Sequence, residues 1–291
     1  MASTQKKYAL VTGCTPGGIG HYLALEFAAK GYHVLATVRD PSKYPSAPHP
    51  EITYLPLEVT SQQSINALKD EVTRITNNRL DILYNNAGRN YTVPATDLDI
   101  DEVRDLFEAN VYSVMAMTKA FVPLLIEAKG TIVQTGSLAG ILPYVWASAY
   151  SASKAALHAF SDTLRVELAP LGVRVVNVIT GGVTSNIARV HRELPADSYS
   201  LPIKDDYERR LTFSQQLGMD TQTYARSCVK QVIAGDHWYG KQRTIWEGKM
   251  SWIVWGVWFF LPRAVMDMYF TAKFSLWKLK GTVGGSNKKT N

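Results

Sequence analysis

The run Lys7-Tyr8-Ala9-Leu10-Val11-Thr12 leads directly into Gly13-Cys14-Thr15-Pro16-Gly17-Gly18-Ile19-Gly20, and a helical pattern follows from His21 to Lys30. The first run reads as a short buried strand bounded by turn residues. The helical segment carries Leu23, Leu25, Phe27 and Ala28 as its apolar residues. A strand, a glycine-rich turn and a helix in immediate succession favour a parallel sheet with crossover helices. Glycines at such a turn let backbone approach a pyrophosphate, and the helix N-terminus stabilises its charge. A tight turn with no ligand is the plainer alternative.

Alternating strand and helix patterns continue to about residue 180 without a linker-like break, in a chain of 291 residues. One doubly wound α/β domain fits that order best. The segment Asp40–Pro50 holds four prolines and reads as an exposed loop. Cys14 and Cys228 stand in unrelated contexts, and the six histidines have no ligand spacing, so neither a disulfide framework nor a metal site is expected. The first strand begins within a few residues of the N-terminus, which leaves no room for a secretory leader. The expectation is an intracellular protein.

Tyr150 and Lys154 are four apart, on one face of a helix. A free phenol titrates near 10, and a fixed ammonium nearby favours the phenolate and brings the group toward working range. Ser137 lies thirteen residues upstream, at the end of the strand-like run Thr131–Thr135, within reach of the same substrate oxygen. Alone, this spacing is a weak signal, because any amphipathic helix can carry a solvated Tyr/Lys pair.

Its company is specific. The glycine turn, Asn85-Asn86-Ala87-Gly88 after a predicted strand, Asn110-Val111, the Ser137/Tyr150/Lys154 set and Gly181-Gly182-Val183-Thr184-Ser185 occur in order. From about Lys7 to about Ser185 the chain resembles the short-chain dehydrogenase/reductase family. The resemblance implies a Rossmann-type sheet, a nicotinamide cofactor and a catalytic set of Asn110, Ser137, Tyr150 and Lys154. It also places Gly13, Thr15, Gly18, Ile19, Gly20, Glu58, Asn86, Ala87, Gly88, Lys119, Tyr150, Lys154, Val183, Thr184 and Ser185 on the cofactor. Three departures stand out. Six residues, not five, separate Gly13 from Gly20; Thr180 replaces the family's usual proline; Glu58 replaces its usual adenine-contacting Asp. Taken singly, Ser137 reads as a strand-end hydrogen bonder, Asn110 as a cap, and Asn86 as a left-handed turn residue.

The second strand, His33–Val38, ends without the acid that NAD enzymes use on the ribose, and Arg39 follows. A guanidinium there can pair with a 2′-phosphate, with help from Lys43, although Asp40 competes for it. NADPH is the expected cofactor. From family behaviour, that implies carbonyl reduction as the working direction.

The formal charge of +6 sits in the tail: seven Lys/Arg and one acid lie between Lys249 and Asn291, beside four of the seven tryptophans. An apolar run interrupts these cations, which argues against nucleic acid. Met250–Leu261 is too short to span a bilayer, since a spanning helix needs roughly 20 apolar residues. Two readings stand for 250–280: peripheral contact with a membrane surface, such as endoplasmic reticulum or lipid droplet, or an element that caps the pocket or joins subunits. The division expected is a catalytic domain over 1–248, with a substrate lid at about 186–219, and a tail over 249–291. Pairing as a homodimer or homotetramer would use the helices at 101–129 and 150–171, as in many family members.

Leu142, Tyr144 and Trp146 are candidates for a lipophilic pocket, or else core. Arg189, His191, Arg192, Arg209 and Arg210 in the lid either grip a phosphate or carboxylate or form a solvated face, the commoner arrangement. Within the family, the combination is most similar to fungal acyl-dihydroxyacetone-phosphate reductases, near the hydroxysteroid dehydrogenases. Tailoring ketoreductases of fungal secondary metabolism, acting on polyketide, terpenoid or alkaloid intermediates, resemble it as well, and the residues do not separate the two. A non-enzymatic cofactor-binding scaffold is the reading from another class; loss of the Tyr or Lys usually accompanies it, and both are present here.

Overall fold

The computed structural model describes residues 6–40, 42, 44, 49–185, 187, 191–216, 218–235 and 244–280. Lys43 and Arg189 lie outside the described residues. Seven parallel strands form one sheet in the order β3-β2-β1-β4-β5-β6-β7. The strands are β1 (Lys7–Val11), β2 (Tyr32–Val38), β3 (Ile52–Pro56), β4 (Ile82–Asn85), β5 (Thr131–Thr135), β6 (Arg174–Thr180) and β7 (Thr244–Glu247). The strand order reverses between β1 and β4, and in such sheets the crevice outside the strand C-termini at that point takes the ligand.

Helices cover both faces. On one lie α1 (Ile19–Ala29) and α7 (Thr221–Ala234), whose Leu23, Phe27, Tyr224 and Val229 pack under Ala9, Val34, Val133 and Val176. On the other, α2 (Gln62–Thr76), α4 (Ser113–Ala128) and α5 (Ser148–Leu168) bury Leu68, Phe121 and Leu164 against Leu10, Leu83 and Ile132. Adjacent strand residues point to opposite faces, so near-continuous apolar strands feed both layers.

Local chemistry sets the helix ends. Ser61 caps α2 by accepting from Ser64 N at 3.2 Å, and Asn77 closes it in the left-handed region. Asp99 caps α3 (Ile100–Phe107) and Asp220 caps α7. Between α3 and α4 a π-helical turn, Glu108–Tyr112, carries Asn110. Such turns are rare and gather at functional sites. The continuous helical run Ile100–Ala128 is the one described stretch long and apolar enough to cross a bilayer, and about half of it is buried in the core.

The tail forms α8 (Ser251–Phe260) and α9 (Ala264–Lys273), separated at Pro262. Val254, Phe270 and Phe274 pack on Leu142, Trp146 and Tyr207, the last from α6 (Lys204–Gln216). One face of the tail therefore closes the substrate side of the molecule. Trp252, Phe260 and Met268 remain 67%, 76% and 72% exposed on the outside.

Candidate active site

The glycine turn solves its extra residue locally. Thr15-Pro16-Gly17-Gly18 forms a turn in which Gly18 N donates to Thr15 O at 3.0 Å, with Gly17 at φ 77°. Proline followed by a positive-φ glycine is the chemistry of a type II turn. The helix begins at Ile19, two residues earlier than its pattern indicates, and Gly18 provides no side-chain cap. The first N–H groups of α1 thus have no side-chain acceptor, as an anion site requires. Gly13 has φ 73°, and a Cβ there would stand 3.0 Å from Ala87 Cα. Asn86 fastens the two motifs: its Nδ2 donates to Thr12 O at 2.8 Å, while Thr12 Oγ1 accepts from the amides of Asn86 and Ala87 at 2.9 Å each. Asn86 is not among the left-handed residues, so the turn alternative for it falls away.

A cavity of about 1270 Å³ is lined by this turn, by the ends of the strands and by the tail helices. Gly13, Thr15, Gly18, Ile19, Arg39, Glu58, Asn86, Ala87, Gly88, Val183 and Ser185 line one part; Ser137, Leu142, Tyr144, Tyr150 and Lys154 line another. These surfaces fit a dinucleotide lying across the strand ends.

Three of the residues assigned to the cofactor sit elsewhere. Lys119 is on the exposed face of α4, opposite Met117, Thr118 and Phe121, and lies outside the cavity. Gly20 is also outside it. A Cβ there would lie 2.4 Å from Gly13 O and 2.6 Å from Asn86 Nδ2, so its smallness serves helix-to-strand packing. Thr184 turns outward, its amide donating to Met219 O at 3.0 Å. Arg39 is exposed just past β2, and among the described residues no ion pair ties it to Asp40, whose carboxylate accepts from Ser42 N.

Helix α5 presents Tyr150, Lys154 and His158 at successive turns, and they face the end of β5. Lys154 is buried, and its Nζ donates to Thr135 O at 2.8 Å and lies 5.9 Å from the Tyr150 ring centre. Burial brings its pKa down to about 8. His158 Nε2 accepts from Ser137 N at 3.1 Å, so this nitrogen carries no proton. Burial, then the Lys154 charge, lowers His158 to about 4. Sequence reasoning missed His158, although its position eight residues after Tyr150 places it on the same face.

The phenol of Tyr150 departs from expectation. Burial, the largest influence, raises it above 10; the Ser137 side chain and the Arg210 charge pull it down, and Tyr144 pushes it up. Lys154 is not among the groups that shift it. Its ammonium is anchored to a strand carbonyl instead. Asn110, buried in the π-helical turn, is held by its own bonds: Oδ1 accepts from Arg89 N at 2.9 Å, and Nδ2 donates to Arg89 O and to Ser153 Oγ, each at 3.0 Å.

The lid residues divide. Arg192 pairs with Glu102, and Arg209 pairs with Asp206. Arg210 instead turns inward, 5% exposed, and lines the cavity. Trp146 is core rather than lining, packed edge-on against Tyr207 and Phe274.

A parallel sheet with a glycine turn at its switch point and a Ser/Tyr/Lys constellation beside it defines a nucleotide-dependent oxidoreductase. The family model for short chain dehydrogenases matches residues 7–195, and the chain belongs to that family. It is 39% identical to the short-chain dehydrogenase fogD of Aspergillus ruber over 289 residues, covering 97% of this chain and 98% of that one. It is 37% identical to the NADPH-dependent 1-acyldihydroxyacetone phosphate reductase of Schizosaccharomyces pombe over 262 residues, covering 84% and 87%. Among solved structures, a short-chain dehydrogenase from Streptomyces avermitilis superposes with a TM-score of 0.69 at 26% identity, covering 95% of this chain and 97% of that one.

Proposed function

We propose that this oxidoreductase uses NADPH to reduce a ketone on a lipophilic substrate to a secondary alcohol. The observation that carries the reading is the convergence of Ser137, Tyr150 and Lys154 on a cavity whose other end is the glycine turn. Gly13, Gly18, Ile19, Asn86 and Val183 would hold the dinucleotide, with Arg39 at its 2′-phosphate and Glu58 near the adenine. When bound, NADPH supplies hydride. Tyr150 donates a proton to the oxygen that gains charge as the carbonyl is reduced, and Ser137 holds that oxygen. Lys154 binds ribose hydroxyls, and the Ser137 side chain favours the phenolate left on Tyr150. Asn110, rigidly held, orients a water that passes protons toward Lys154.

The apolar walls Leu142, Val254 and Phe270 support a lipophilic substrate. The likeness to an enzyme named NADPH-dependent 1-acyldihydroxyacetone phosphate reductase supports NADPH and a lipid ketone; a tailoring reductase of fungal secondary metabolism is the alternative. The exposed aromatic face of α8 supports peripheral membrane contact.

The test is NADPH oxidation by purified protein with long-chain acyl-dihydroxyacetone phosphate, steroid ketones and polyketide ketones. Turnover with NADPH well above that with NADH is expected. Tight NADPH binding with no turnover on any ketone overturns the reading in favour of a scaffold.

A further inference from the structure

Arg210 is a buried cation with no carboxylate partner among the described residues. Its guanidinium carbon sits over the Tyr144 ring, 3.8 Å from the ring centre. Among the described residues, no carboxylate or carbonyl oxygen accepts from it, and its Nε is fully enclosed without a hydrogen bond. Its neighbours in the lid show the contrast. Arg192 has Glu102, and Arg209 has Asp206, which lies one turn before Arg210 on α6. Asp206 is thus already engaged.

A guanidinium has five N–H donors and no acceptor capacity. Taking it out of water without a partner is costly. The aromatic face of Tyr144 attracts the charge but supplies no lone pair for those donors. Arg210 faces the cavity that contains Tyr150, and its charge reaches the Tyr150 and Tyr207 hydroxyls. The same cavity is walled in part by the apolar side chains of Leu142, Val254 and Phe270. A planar fork within apolar walls fits a carboxylate or phosphate bidentately.

We propose that Arg210 binds an anionic group, carboxylate or phosphate, carried by an amphiphilic ketone substrate whose apolar part lies against the tail helices. This rests on the ketone-reductase reading. It gives the lid a recognition role through one inward-turned residue, while Arg192 and Arg209 are held by carboxylates.

The test compares matched substrates that differ only in charge: 1-acyl-dihydroxyacetone phosphate with 1-acyl-dihydroxyacetone, and a γ-keto fatty acid with its methyl ester. In the wild type, kcat/KM for at least one anionic member is expected to exceed that of its neutral partner by about tenfold or more. The pair that shows the preference identifies phosphate or carboxylate. In Arg210→Gln that ratio falls toward one, mainly through KM, and Arg210→Lys restores part of it. A wild-type ratio near one, or a ratio that Arg210→Gln leaves unchanged, overturns the proposal. So does an equal loss on charged and neutral ketones, which would mean that Arg210 acts on Tyr150. If Arg210→Gln fails to bind NADPH, the wild-type ratio decides alone. If the wild type reduces no ketone, the reductase reading fails separately. Thermal shifts then decide: dodecyl phosphate or dodecanoate, but not dodecanol, should stabilise the wild type and not the variant, and equal shifts in both proteins overturn the anion site.

Discussion

The backbone amide of Ser137 donates to Nε2 of His158 at 3.1 Å, so a histidine two turns beyond Tyr150 holds the strand-end serine in place. His158→Leu leaves that amide without its acceptor, which costs about 1–3 kcal/mol. A fall of that size in unfolding free energy, and a loss in kcat with NADPH affinity retained, are expected; His158→Gln restores part of both by supplying an oxygen acceptor. Acid adds a second readout. The native pKa of about 4 lies below the unfolded 6.5. The unfolded chain therefore binds the proton first, and the contribution of this neutral histidine, complete above pH 6.5, is lost as pH falls toward 4. Denaturation curves of wild type and His158→Leu across that window should differ in slope.

Lys154 sets an alkaline limit. Its ammonium titrates at about 8 in the free enzyme and is charged below that value. kcat/KM for NADPH at saturating ketone reports groups of the free enzyme. It should decline above about pH 8. A plateau extending to pH 10 would remove the ammonium from the mechanism.

Tyr150→Phe keeps the ring and deletes the proton. Ketone reduction should fall by about 10²–10⁴-fold, while NADPH binding, followed by fluorescence, stays within a few-fold. Near-normal turnover in this variant would assign the proton to another group.

Arg39→Gln tests cofactor choice. A charge-assisted bond to the 2′-phosphate is worth about 1.5–3 kcal/mol, so the NADPH/NADH ratio of kcat/KM should drop by about tenfold or more. The change should fall on NADPH, with NADH kinetics little altered. An unchanged ratio would mean that Arg39 is only a solvated turn residue.

The outer face of α8 predicts vesicle binding. Trp252 and Phe260 are exposed, with Arg263, Lys273 and Lys278 nearby in sequence. Co-sedimentation with vesicles containing phosphatidylserine is expected, weaker at high salt. Trp252→Ser combined with Phe260→Ser should reduce it about tenfold or more, since each buried aromatic contributes about 1.5–3 kcal/mol. Equal sedimentation of wild type and double variant would point to another surface.

The parallel sheet was legible from local order alone. Apolar strand, glycine turn and helix recur in one direction along the chain, and only crossover connections can pair strands in that order. The Tyr150/Lys154 pairing was equally local, because four residues make about one helical turn. Long-range contacts decided the rest. Lys119 shares a helical run with Glu108 and Ala109, which line the cavity, but rotation around that helix leaves it outside. Gly20 belongs to a glycine pattern, yet it serves packing because Gly13 of the same turn and the distant Asn86 crowd it. Five lid cations look alike as sequence. Partners on other elements, Glu102 for Arg192 and Tyr144 for Arg210, determine which has a carboxylate and which only an aromatic face. The tail's composition marked it as an interface, but only packing shows that one face closes the pocket and the other meets solvent. Periodicity and turn chemistry act over a few residues and can be read along the chain; burial and charge compensation depend on what the fold brings against each side chain.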